Sequence, residues 1–250
     1  MKKSIIMFLL LLVTFSGLGQ NLKIDSFKQN KNMKFKYEAL IIPTVLVGYG
    51  IIGLESHTIK NVNLDTRNEL TENIDNKLTI DDFSQYSPFL AAYGLNALGI
   101  KGKHNFKDRT IILGTAYLIM GGTVNIIKHT GTVTRPDGSS KNSFPSGHTA
   151  TAFMGAEFLY QEYKDTSIWY GISGYAVAAG TGFFRLYNDR HWLTDIVAGA
   201  GIGILSTKIA YWLHPFIQNA FFKNQKGGNG MLLPFYNGKE YGINFSMIVI

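Results

Sequence analysis

Residues 168–213 read IWYGISGYAVAAGTGFFRLYNDRHWLTDIVAGAGIGILSTKIAYWL. Two apolar runs, 168–184 and 194–213, flank a short segment that carries Arg185, Asp189, Arg190 and His191, and Asp195 opens the second run. Neither run alternates with period two. Both are rich in alanine and glycine and exceed ordinary strand lengths, so each reads as a helix. Working outward, apolar segments recur at 39–54, 88–100, 110–127 and 149–160, separated by polar connections of which 55–87 is the longest. The chain is therefore expected to be all-α, a bundle of about six apolar helices over 37–222. After it, strands at 232–236 and 241–249 flank the turn dipeptide Asn237-Gly238 and predict a short C-terminal β-hairpin within 228–250.

The 250 residues suffice for one well-buried domain. There is no cysteine, which excludes disulfides, thiolate metal sites and a cysteine nucleophile. The formal charge is +7 and the pI about 9.4, yet only 16% of residues are charged and 46% are hydrophobic. Such a composition is too apolar for a typical nucleic-acid binder. It suits a protein in or near a bilayer that meets anionic lipid or phosphate. Lys2 and Lys3, the apolar run 5–13 and the small Gly17 and Gly19 predict a signal peptide over 1–19.

A spanning helix needs about 20 apolar residues, and 110–127, 168–184 and 194–213 come near that. Six spans would put the lysine-rich 21–36 and 101–109 on one side and the acidic 55–87 on the other. The positive-inside rule then makes the acidic side, with connections 128–146 and 185–193, external. A cleaved signal would leave 21–36 outside and invert this order, so both topologies stay open.

Three polar stretches at helix ends carry the chemistry. They are Lys128-His129-Thr130-Gly131-Thr132-Val133-Thr134-Arg135-Pro136, Phe144-Pro145-Ser146-Gly147-His148, and the run from Arg185 to Asp195. Phosphoryl transfer needs cations and N–H donors around the non-bridging oxygens. Lys128, Arg135 and Arg185 supply cations. Ser146 and Gly147 precede a helix whose first N–H groups form an anion site. His191 and Asp195, four apart, share one helix face, so a carboxylate can hold one ring nitrogen while the other attacks phosphorus. His148 is the available proton donor. Asp189 and Arg190 read as solvated loop charges, and His57, His104, His129 and His214 lack a comparable setting.

Taken in order, the three stretches resemble the signature of the type 2 phosphatidic acid phosphatase family, which also includes bacterial acid phosphatases and vanadium haloperoxidases. That pattern is Lys-x6-Arg-Pro, Pro-Ser-Gly-His and Ser-Arg-x5-His-x3-Asp. Lys128 to Pro136 and Pro145 to His148 match fully. The third matches from Arg185 through His191 to Asp195, with Phe184 in place of serine. The resemblance implies a helical-bundle phosphatase in which Lys128, Arg135, Ser146, Gly147 and Arg185 hold phosphate. It makes His148 the acid, His191 the nucleophile and Asp195 its orienting partner. It implies neither cofactor nor metal, and no Asp/His cluster with ligand spacing is legible in the sequence.

The expected activity is metal-independent hydrolysis of a phosphomonoester or diphosphate on a lipid, through a phosphohistidine. Phosphatidate, phosphatidylglycerophosphate, undecaprenyl diphosphate and a lipid A phosphate all fit. The expected location is the inner membrane of a bacterial-type envelope, with a periplasm-facing site and no nucleic-acid partner. A soluble, exported acid phosphatase of broad specificity is the alternative, and a vanadate-dependent haloperoxidase a further one.

Overall fold

A computed structural model of the chain describes residues 37–72, 77–221, 228–236 and 241–249. The expected signal peptide and the Asn237-Gly238 turn lie outside them. Among the described residues a 3-10 turn (Tyr37–Leu40) leads into eight α-helices: α1 (Ile41–Gly53), α2 (His57–Thr71), α3 (Ile80–Ser84), α4 (Ser87–Ala97), α5 (Phe106–Thr130), α6 (Gly147–Tyr163), α7 (Ile168–Tyr187) and α8 (Leu193–Phe221). Strands β1 (Gly228–Tyr236) and β2 (Tyr241–Val249) pair antiparallel, from Gly228 opposite Val249 to Tyr236 opposite Tyr241. The bundle is an all-α fold.

The six apolar segments each became a helix, but the polar connection 55–87 also holds two, α2 and α3. Helix α2 is polar on average, and its few apolar residues, Ile59, Val62, Leu64 and Leu70, do not make an apolar run. Its buried residue is Asn63, and its start is set by Ser56, whose side chain accepts a hydrogen bond from the Ile59 N–H.

Helix α6 is the centre of the bundle and packs on α4, α5, α7 and α8. Its Ala150, Ala152, Met154, Ala156 and Phe158 are fully buried. Small residues let the backbones meet. A Cβ on Gly199 would lie 2.6 Å from the Ser146 carbonyl oxygen, and one on Gly201 would lie 2.6 Å from that of Pro43. Helix α8 is thus pressed against the start of α6 on one side and against α1 on the other. This close approach brings the second and third sequence motifs to one place.

At the opposite end of α6, a buried polar network joins α5, α6 and α8. Glu162 accepts from Arg109 Nε at 3.2 Å and from the Tyr211 hydroxyl at 2.6 Å, and its Oε1 lies 2.7 Å from His104 Nδ1. The Arg109 and Glu162 side chains have no solvent exposure. His104, to which the sequence reading assigned nothing, is therefore part of this structural staple. Its ring also packs 5.5 Å from that of His214.

By length and composition α5 and the 193–219 part of α8 qualify as membrane spans; the bent pair α1–α2, with 94° between its arms, raises the number to three. Helix α7, expected to come near a span, does not pass. Its glycines, tyrosines and Trp169 dilute the hydropathy of an otherwise suitable length.

Candidate active site

The C-terminal end of α5, the N-terminal end of α6, the C-terminal end of α7 and the N-terminal end of α8 share one end of the bundle. Helix α6 begins at Ser146, whose hydroxyl accepts from the Thr149 N–H at 3.4 Å and lies 2.9 Å from the Thr149 hydroxyl. The Ser146 N–H donates to the Asp195 carbonyl oxygen at 3.0 Å, which ties the α6 start to the α8 start. The helix dipole therefore points its positive end at this junction.

His191 and Asp195 are 3% and 0% exposed. Asp195 Oδ2 accepts from the Trp192 N–H at 2.9 Å and from the Ser143 hydroxyl at 2.5 Å, and lies 3.4 Å from His191 Nδ1. Its Oδ1 is buried with no partner. Ser143 was absent from the sequence reading. It is fully buried, and its Oγ also lies 3.4 Å from His191 Nδ1, so it bridges the imidazole and the carboxylate. Burial pushes the His191 imidazole down to about 4, against the opposing pull of Asp195. A ring lowered this far is neutral near pH 7.

The three expected cations converge here but are not equally free. Lys128 Nζ donates to the carbonyl oxygens of Asn142 at 2.5 Å and Ser143 at 3.4 Å. It thereby folds the 131–146 loop over the site. Arg135 keeps its Nε buried and unpartnered. Burial, then the neighbouring guanidiniums of Arg185 and Arg190, hold Arg135 below its ordinary range. Arg185, 7% exposed, donates from a terminal nitrogen to Asp81 Oδ2 at 2.5 Å, and its Nε is unpartnered. An unpaired buried guanidinium N–H is a demand for an acceptor oxygen.

Asp81 and the adjacent Asp82 come from the short α3. Asp82 Oδ1 lies 2.9 Å from His148 Nε2 and 4.0 Å from Arg185. Burial, then Arg185, lower the His148 imidazole from its ordinary value of 6.5, while Asp82 pulls it up. Asp81, Asp82 and His148 also form a group whose ligand atoms lie within 4.8 Å of one another, a geometry able to hold a metal ion. The sequence shows no Asp/His cluster with ligand spacing, and this group is assembled only by the fold. His148 lies 66 residues from Asp82, and no spacing rule reaches across that gap.

A correction concerns Asp189 and Arg190. Neither is merely solvated. Arg67 on α2 grips Asp189 with two hydrogen bonds of 2.7 and 2.9 Å, and Arg190 pairs with Asp137 at 3.1 Å. Asp189 sits at φ 57°, a left-handed turn that this double grip stabilises. Asn63 seals the start of α8 by donating to the Thr194 hydroxyl and accepting the Thr194 N–H. Asn188 donates to Asp81 Oδ1 and to the Leu78 carbonyl oxygen.

Residues 109–218 match the model of the PAP2 superfamily. The chain is 33% identical over 260 residues to lipid A 1-phosphatase of Porphyromonas gingivalis, a match covering 97% of this chain and 56% of that protein. The chain thus spans little more than half the length of that relative. A stretch of 74 residues is 32% identical to the bacitracin transport permease protein BcrC of Bacillus licheniformis, covering 30% of this chain and 34% of that one. Among solved structures, LpxE of Aquifex aeolicus superposes with a TM-score of 0.46 at 22% identity, over 60% of this chain and 95% of that one. A PAP2-type phosphatidylglycerolphosphate phosphatase from Bacillus subtilis gives 0.43 at 16% identity, over 74% and 99%.

Proposed function

We propose that the protein is a membrane phosphatase that removes phosphate from a lipid, a reading that starts from the match of residues 109–218 to the PAP2 superfamily. The observation that carries the proposal is the buried His191–Asp195 pair, which sits beside the Ser146-capped start of α6 and within a ring of three cations.

In this reading His191 Nδ1–H donates to Asp195, which leaves Nε2 to attack phosphorus. The P–O bond to the lipid alkoxide breaks as His148 gives up its proton to that oxygen. His148 then takes a proton from water, the hydroxide attacks the phosphohistidine, and phosphate leaves as His191 is regenerated. Lys128, Arg135, Arg185, the Ser146 hydroxyl and the N–H groups of Gly147 and its helix compensate the oxygen charges. Asp81 must yield Arg185 to the incoming phosphate. The name of the Porphyromonas relative makes a lipid A 1-phosphate the first substrate to test.

The direct experiment is phosphate release by the purified protein from lipid A 1-phosphate, phosphatidate, phosphatidylglycerophosphate and a prenyl diphosphate, with and without EDTA. Release that survives chelation supports the assignment. Loss in EDTA that magnesium or zinc restores would move the chemistry to an ion at Asp81, Asp82 and His148.

The pH dependence of kcat/KM should be bell-shaped. The neutral, attacking form of His191 is populated above its pKa, so activity rises through about pH 4. The acid form of His148 is lost above a pKa lying below 6.5, so activity falls again on the near side of neutrality. Because Asp82 raises the His148 pKa, Asp82→Asn should move the descending limb to lower pH and leave the ascending limb in place. A profile unchanged by Asp82→Asn would separate His148 from the acid role.

The site faces the periplasm in this reading. The far end of the bundle carries Lys101, Lys103, Lys107 and Lys164, the side the positive-inside rule keeps in the cytoplasm. The chain lacks cysteine, so Ser139→Cys, on the exposed tip of the 131–146 loop, gives a background-free label. A membrane-impermeant thiol reagent should modify it in intact spheroplasts and should modify Lys103→Cys only after lysis. The reverse pattern would turn the protein over.

A further inference from the structure

We propose that Asp81 is a tethered stand-in for phosphate, one that occupies Arg185 while the site is empty, gives it up when a phosphoryl group enters and takes it back as inorganic phosphate leaves; this rests on the phosphatase reading above. Three cations and a helix start around one small anion create a difficulty for an enzyme that must release its product. Arg135 and Arg185 each keep Nε buried without an acceptor. Such a cradle holds inorganic phosphate firmly unless another anion competes for its donors.

Asp81 is placed to compete. It is 1% exposed and Arg185 is 7% exposed, so their contact is shielded from solvent. Asp81 Oδ2 takes a terminal nitrogen of Arg185 at 2.5 Å, and Oδ1 accepts from Asn188 Nδ2 at 2.9 Å. The grip on Arg185 is one-sided, because Nε stays orphaned. The same structure shows what a full grip looks like. Asp189 takes Nε and Nη2 of Arg67 in parallel, at 2.7 and 2.9 Å. A phosphoryl group can offer two oxygens to Nε and a terminal nitrogen of Arg185, so it is the better ligand and displaces Asp81. A buried guanidinium with no anion beside it is costly, so the carboxylate returns when phosphate departs. Being tethered, it competes at an effective concentration that dilution does not lower.

The segment that carries Asp81 is short and pinned at few points. Helix α3 has five residues. Asn188 accepts from the Leu78 N–H at 2.9 Å and donates to its carbonyl oxygen at 2.7 Å, and the Ser84 hydroxyl lies 2.8 Å from that of Thr181 on α7. Ile80 and Phe83 are exposed, so among the described residues nothing covers them to hold α3 down.

The test titrates inorganic phosphate, in EDTA, into the full-length protein in detergent, and reads binding by calorimetry and by thermal unfolding. Asp81→Asn should lower the phosphate Kd about tenfold or more, since phosphate no longer has to break a charge-assisted hydrogen bond. The KM for a lipid phosphate should fall with it. Without phosphate the variant should unfold at a lower temperature than wild type, and saturating phosphate should raise its midpoint by more than it raises that of wild type. Ser84→Ala unpins α3 without touching the cradle, and should lower the Kd about threefold. A Kd unchanged or raised in Asp81→Asn would make Asp81 a fixed partner that merely orients Arg185, and would overturn the exchange. Should Asp81→Asn fail to fold, an unchanged Kd in Ser84→Ala overturns it instead. Phosphate release from lipid by the wild-type protein alongside either result leaves the phosphatase reading standing. Tighter phosphate binding in Asp81→Asn, with no release from any lipid by wild type, supports the exchange and overturns that reading. No phosphate binding by wild type or either variant overturns both.

Discussion

Replacing His191 with alanine should lower phosphate release by roughly 10⁴-fold or more and abolish an acid-labile, base-stable phosphoenzyme. The size follows from what the side chain does in the proposed mechanism. Without an imidazole at this position water must attack phosphorus directly, and only the cradle remains to help. Asp195→Asn should cost roughly 10²–10⁴-fold, because the carboxylate fixes which ring nitrogen carries the proton. In this site the same Oδ2 also accepts from Ser143 and from the Trp192 N–H, so an amide would be held by mismatched partners. Both side chains are buried, and thermal unfolding of each variant must be compared with wild type before the rates are. Near-normal turnover in His191→Ala would remove the nucleophile assignment outright.

Glu162→Leu should destabilise the protein by about 3–5 kcal/mol, with little change in turnover per folded molecule. The lost carboxylate leaves Arg109 charged and fully buried with its main partner gone. It also frees the Tyr211 hydroxyl and the His104 ring. Burial alone would raise the Glu162 pKa, but hydrogen bonds from His104 and Tyr211 outweigh it and hold the carboxyl below its ordinary range. The charged form is thus the one the fold is built on. At roughly 2–4 °C per kcal/mol for a chain of this size, the unfolding midpoint should fall by roughly 6–20 °C. Adding Arg109→Met should recover much of the loss, because the stranded charge is the main cost. No change in the midpoint would mean that water reaches this network.

The legible part of the fold is the part that apolar patterning controls. Runs such as 110–127 and 194–213 announce helices because a bundle must cover them with other apolar surface. Helix α2 was illegible for the opposite reason. Its buried contacts are polar, with Asn63 and Arg67 bonding to residues at the α7–α8 corner, and its few apolar residues are too scattered to read as a run. The eight motif residues were legible because they lie within three short windows of fixed spacing, and the structure brings them to one end of the bundle. Ser143 lies just outside such a window. Asp81 and Asp82 reach Arg185 and His148 from far up the chain, a relation that only tertiary contact reveals. Lys128 could be named as a cation, but its engagement with two loop carbonyls could not.

The corner made by Arg67 with Asp189, Asn63 with Thr194 and Asp81 with Arg185 has a bearing on how the molecule is put together. These partners are 122, 131 and 104 residues apart along the chain. Closing loops of that length costs more chain entropy than pairing neighbouring helices. The matched family region begins at residue 109, so it contains every motif residue but none of Asn63, Arg67, Asp81 and Asp82. A fragment trimmed to that region would keep the chemical groups and lose the bracing that holds their loops. Turnover would then report on completion of the whole bundle, since these long-range contacts brace the loops that carry the motif residues.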